Sequence, residues 1–133
     1  MTEFYTSAIR AFVVASLLLA TATLMFVTVS AARASGALAI GSCGAFGEAY
    51  DFGTVGEARR SALSKCKADA CRVVLTTKRG CAAFAVDFAD SCGAHGWGEG
   101  ARLGPTQNAA LEACYKHGGK ECVIRTFFCD AKG

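Results

Sequence analysis

Eight cysteines and two histidines are the side chains of this 133-residue chain best suited to metal binding, redox chemistry or nucleophilic catalysis. Zinc wants close cysteine pairs, such as Cys-x2-Cys with a second pair or histidines at suitable spacing. The nearest pair is Cys66-x4-Cys71, and His95 and His117 complete no cluster. A thiol nucleophile would need a neighbouring base, with Cys43 or Cys92 as the candidates. An even set of cysteines in a small exported domain reads instead as a disulfide framework. The expectation is therefore four disulfides, with no catalytic residue, no metal and no cofactor.

The remaining candidates each have a plainer reading. Gly93-Ala-His-Gly-Trp-Gly-Glu-Gly100 is glycine-dense like a phosphate loop, but such a loop leads straight into a helix. Here Ala101-Arg-Leu-Gly-Pro105 intervenes, so the glycines read as hairpin residues. Trp97 sits among them as a binding aromatic or, by the plainer reading, as a side chain packed on the sheet. Asp87, Asp90 and Glu99 could hold calcium or do acid/base work, and otherwise form a solvated rim. His117 is accounted for as a cation near a helix C-terminus.

The elements that must position these residues come in two copies, offset by about 48–52 residues. Gly36 to Ile40, Cys43-Gly-Ala, Gly53-Thr54, Ala62-Leu63-x2-Cys66 and Cys71 to Leu75 answer to Ala83 to Val86, Cys92-Gly-Ala, Gly104-Pro-Thr106, Ala110-Leu111-x2-Cys114 and Cys122 to Arg125. Each copy reads as β-β-α-β. Short apolar runs, Ala37 to Ile40 and Phe84 to Phe88, pair with glycine-rich stretches Gly44 to Gly53 and Gly93 to Gly104. Thr54 with Glu57 is a capping box, after which Val55, Ala58, Ala62 and Cys66 share one helical face. The second helix is expected to start after Gly104-Pro105-Thr106, four residues shorter, and to stop at His117-Gly118-Gly119. Cys71 to Thr77 and Cys122 to Phe128 are the closing strands. Neither copy can bury much alone, so the fold class is α+β: two pseudo-symmetric repeats, about 36–81 and 83–129, packed into one small disulfide-rich domain over 35–133.

Repeat symmetry also orders the cysteines: 43 answers to 92, 66 to 114, 71 to 122 and 81 to 129. Cys66–Cys71 and Cys114–Cys122 join a helix end to the next strand across a short connection. The other four are expected to pair each with its own counterpart, Cys43–Cys92 and Cys81–Cys129, crosslinking the copies.

Ala11 to Ala32 carries no charge, and Ala32-Arg33-Ala34 fits a signal-peptidase site before Ser35. Residues 1–34 therefore read as a cleaved signal peptide, or as an uncleaved N-terminal membrane anchor, since the run is near bilayer length. Both deliver the domain outside the cytoplasm. A lipoprotein box at Ile40 to Cys43 is disfavoured because it would leave seven cysteines. With 53% hydrophobic and 19% charged residues the chain is no disordered tail, and a net charge of +3 is no nucleic-acid footprint. The charge is uneven: +3 from Ser35 to Cys81 and −1 from Ala82 onward. A basic binding surface is thus expected from Arg59, Arg60, Lys67, Lys78 and Arg79, with Trp97 as its aromatic; solvated charge is the plainer reading.

The run Gly-Ala-Leu-Ala-Ile, Thr-x-x-Glu-Ala, Ala-Leu-x-x-Cys-x4-Cys-Arg-Val-Val, Cys-Ala-Ala-Phe-Ala-Val, Gly-Trp-Gly and Gly-Pro-Thr resembles the bacterial exported family called domain of unknown function 4189, from Gly36 to Cys129. Cys43, Cys92, Phe46 and Glu48 depart from its usual pattern. The resemblance implies a small secreted or envelope domain and carries over no catalytic residue. Two functional expectations follow: a non-enzymatic exported module binding a protein or anionic envelope component, or an inhibitor or immunity-type protein against an extracytoplasmic hydrolase.

Overall fold

The computed structural model describes residues 34–130, so the expected leader, including nearly all of its cleavage motif, lies outside the described residues. Strand β1 (Ser35–Ile40), β2 (Phe46–Phe52), helix α1 (Val55–Lys65) and β3 (Arg72–Lys78) form the first repeat. Strand β4 (Cys81–Asp87), β5 (His95–Gly100), helix α2 (Leu103–Lys116) and β6 (Cys122–Cys129) form the second. Each repeat makes a three-stranded antiparallel sheet with its first strand in the middle, in the orders β2-β1-β3 and β5-β4-β6. The β-β-α-β reading and the α+β class hold.

The central strands are buried on both faces because their residues alternate between two packing partners. Leu38 and Ile40 on β1 meet Phe84 and Val86 on β4, building the central core with Phe128 and, at its margins, Phe46, Val74, Leu75 and Trp97. Ala37 and Ala39 face the other way, against Ala58 and Ala62 of α1. Ala83 and Ala85 do the same against Ala110 and Cys114 of α2. The result is four layers, helix, sheet, sheet, helix, with large side chains between the sheets and small ones under the helices.

The glycines of the second strands serve that close helix packing. A Cβ on Gly47 would lie 2.0 Å from the Ala62 carbonyl oxygen, and one on Gly96 would lie 2.2 Å from the Cys114 nitrogen. The Gly93 to Gly100 stretch was expected to owe its glycines to a hairpin; within β5 they let α2 sit directly on the backbone.

Thr54 caps α1 as expected: the Glu57 amide donates to its Oγ1 at 3.2 Å, and the hydroxyl donates to Glu57 Oε2 at 2.8 Å. The second helix departs from expectation. It starts at Leu103 with Arg102 at the cap, and Pro105 and Thr106 lie inside its first turn, where proline is tolerated because no amide is needed there. Buried Thr106 donates its hydroxyl to the Arg102 carbonyl at 2.8 Å. Measured from the caps, Thr54 and Arg102, Cys66 and Cys114 are equally far along, so no turn is missing. Gly118 takes the left-handed stop at φ +94°.

The S–S bonds are Cys43–Cys92, Cys66–Cys71, Cys81–Cys129 and Cys114–Cys122. The expected role of one is corrected. Cys81 opens β4 instead of closing the first repeat, and it sits opposite Cys129 in the β4–β6 ladder. Its bond therefore staples one sheet to itself. In register, the counterpart of the Cys81–Cys129 pair is Ser35 opposite Lys78. Cys43–Cys92, joining the β1–β2 and β4–β5 connections, is the one bond between the repeats. Four disulfides suit an oxidising, extracytoplasmic environment, and among the described residues no helix is long and apolar enough to cross a membrane.

Candidate functional site

With β1 over β4, the outer strands meet along two seams related by the pseudo-twofold axis: β2 against β6, and β3 against β5. The first seam is closed. Tyr50 stacks on Phe128 with ring centroids 5.9 Å apart, and the Thr126 hydroxyl donates to Glu48 Oε2. At its end the buried Asp130, 1% exposed, accepts from the Asp51 amide at 3.2 Å and from the Thr77 hydroxyl at 2.6 Å. Its own amide donates to the Gly80 carbonyl, so one residue ties β2, β3 and the β3–β4 turn together.

The second seam is open. A cleft of about 420 Å³ runs between Val74, Leu75 and Thr76 of β3 and Trp97, Gly98 and Glu99 of β5. It shares Thr76 and Glu99 with a hollow of about 500 Å³ that reaches Lys78 and Arg79. Trp97 is half-buried, its ring resting on the central core while it walls the cleft. The surface thus combines an apolar floor, an indole and two exposed cations, with Glu99 as the one carboxylate on its rim.

The structure divides the expected basic surface. Lys78, Arg79 and Trp97 come together at the open seam. Lys67 does not join them: it follows the C-terminal end of α1, and its Nζ donates to the Ser64 carbonyl. Lys78 and Arg79 line a hollow with Thr54 and Val55 at the other end of that helix. Eleven residues at 1.5 Å rise separate the two groups by about 16 Å. Arg59 and Arg60 are exposed on α1 itself. The sequence marks Val74, Leu75 and Thr76 only as a closing strand, and Glu99 as a calcium or acid/base candidate or a rim residue; their place in the cleft depends on which edge meets which. A register comparison of the copies would have flagged them, since Trp97 replaces Glu48 and Leu75 replaces Thr126.

The chemistry-bearing residues have structural partners. All eight cysteines are in disulfides. His95 Nε2 donates to the Ser91 carbonyl at 2.7 Å, and His117 Nδ1 to the His95 carbonyl at 2.6 Å, so each ring holds a connection in place. Asp87 accepts from the Lys120 amide at 2.9 Å and the Ala89 amide at 3.1 Å. The Lys120 bond leads in holding its carboxyl below the usual range, against the opposing effect of desolvation. Asp90 accepts from the Cys92 amide at 3.0 Å and shapes the turn. Among the described residues no three His, Cys, Asp or Glu side chains converge as metal ligands would.

A family model described as a domain of unknown function, DUF4189, matches residues 35–129. No curated protein matches the chain. The NMR structure of Rv1813c from Mycobacterium tuberculosis is similar at 24% identity, covering 74% of this chain and 76% of that chain, with a TM-score of 0.49.

Proposed function

The chain belongs to the DUF4189 family of domains of unknown function, and on that premise we propose that it is an exported, non-catalytic binding module whose partner, a protein or an anionic envelope component, docks at the open seam between β3 and β5. The observation that carries this reading is the inequality of two seams built to the same plan. One is filled by a stacked ring pair and a hydrogen bond, whereas the other presents Trp97, Leu75 and Val74 beside Lys78 and Arg79. An aromatic anchor in a partly apolar groove with a polar rim is the usual anatomy of a binding hot spot. Four disulfides hold that groove in shape before any partner arrives, which reduces the ordering cost of association.

Export is supported by the apolar run Ala11 to Ala32 and by the disulfides. We place cleavage before Ser35, the first residue of β1; intact mass of the protein recovered outside the cell reads this directly. A species retaining residues 1–34 would mean an anchored module instead.

The test is capture from envelope and culture-filtrate fractions by the immobilised protein and by its Trp97→Ala variant. A component retained by the first and lost with the second supports the reading. Equal retention by both would remove the seam as the binding face. If the Trp97-dependent component is a hydrolase whose activity falls on binding, the module is an inhibitor.

A further inference from the structure

We infer that the open seam accepts an extended acidic segment of a partner protein, added as a strand along the free edge of β3; this rests on the binding reading above and specifies the chemistry of its ligand. β3 is hydrogen-bonded only to β1. Among the described residues no backbone hydrogen bond from a turn or loop occupies its outer edge between Arg72 and Lys78. A row of unpaired amides and carbonyls is a template for one more strand, which main-chain bonds hold and side-chain pockets select. The matching strands on the opposite side, β2 and β6, offer no open seam beside their edges. Tyr50 against Phe128 and Glu48 against Thr126 already fill the space between them.

Charge chooses the ligand. Arg72 opens the free strand, Lys78 ends it and Arg79 follows, all three exposed. Among the described residues the ion pair formed is Glu112 with Lys116, so these three cations have no carboxylate partner of their own. Glu99 on the far wall repels acid and so turns a ligand's carboxylates toward β3. In an added strand alternate side chains point oppositely. Apolar residues would then lie on Trp97, Val74 and Leu75, with acidic ones on the opposite face reaching Lys78 or Arg79. A sugar stacked on Trp97 would leave the β3 edge unused.

The test is a display library of random peptides of about nine residues, enough to span the seven residues of β3, panned on the full-length chain in detergent. Enriched peptides should alternate apolar and acidic residues and should not enrich on Trp97→Ala. Methylating alternate backbone amides of an enriched peptide should weaken binding about tenfold, roughly 1.4 kcal/mol. The exposed double substitution Lys78→Glu with Arg79→Glu should weaken it by about as much, with retained circular dichroism showing that the fold is intact. No enrichment, enrichment of basic or purely apolar peptides, or equal binding after methylation would overturn the inference. If Trp97-dependent capture from envelope fractions persists in any of those cases, the strand-addition idea alone fails. If capture is the same for Trp97→Ala, both fail.

Discussion

Trp97 stands in the second repeat where Glu48 stands in the first: Trp97 lies opposite Phe84 on β4, and Glu48 opposite Leu38 on β1. Across the seams the neighbours differ in step. Thr126, opposite Phe84, donates to Glu48, whereas Leu75, opposite Leu38, borders Trp97 across a cleft. One exchange of a carboxylate for an indole and one of a hydroxyl for an isobutyl group remove from the open seam the hydrogen bond that, with the Tyr50–Phe128 stack, closes the other.

Trp97→Ala should therefore weaken the fold only moderately. Truncating a fully buried aromatic costs about 3–5 kcal/mol, and a half-buried one about 2. Urea denaturation followed by circular dichroism measures this. A loss near the fully buried figure would make Trp97 a core residue and not a binding residue.

Gly47→Ala and Gly96→Ala should each cost several kcal/mol, of order 3 or more, because backbone and not a movable side chain blocks the new methyl. Gly104→Ala is the control. It lies in α2 with nothing within 4 Å of the added carbon, and there alanine should stabilise by about 0.5–1 kcal/mol. Thermal melting orders the three variants; a Gly47→Ala protein as stable as the parent would refute the close helix packing.

Cutting the chain after Arg79, in the exposed β3–β4 turn, should leave two fragments joined covalently until reduction. In a Cys43→Ser, Cys92→Ser variant the same cut should release them under denaturing, non-reducing conditions, since Cys81–Cys129 lies wholly on the second side. Fragments that stay joined would show a second bond between repeats. On chain entropy, losing the 49-residue closure should cost about 4 kcal/mol, against about 2 for Cys66–Cys71.

Acid should weaken the fold partly through Asp87. Its folded pKa lies below the unfolded value, so its contribution is complete above about pH 4 and is lost as pH falls from there through the folded pKa. Asp87→Asn should flatten the decline in unfolding free energy as pH falls below about 4. An unchanged slope would show that the Lys120 amide does not favour the ionised form.

Residue types and their recurrence determined the disulfide framework, the β-β-α-β order and the buried face of α1. The apolar run of β1 and the Thr54 cap are local, and a helix-end cysteine close to the next strand reaches its partner whatever surrounds it. The start of α2 escaped the same reasoning. Thr106 looks like a cap by type, but its hydroxyl bonds back to Arg102, and burial under the helix favours one further turn. The role of Cys81 escaped for a related reason. Sequence alignment of the copies matches cysteine to cysteine, while strand register matches Cys81 to Ser35. The seams belonged to the tertiary structure alone. Whether Glu48 meets Thr126, and whether Trp97 faces Leu75, depends on stacking two sheets face to face. Those pairs are far apart in the chain, and neither repeat contains both partners.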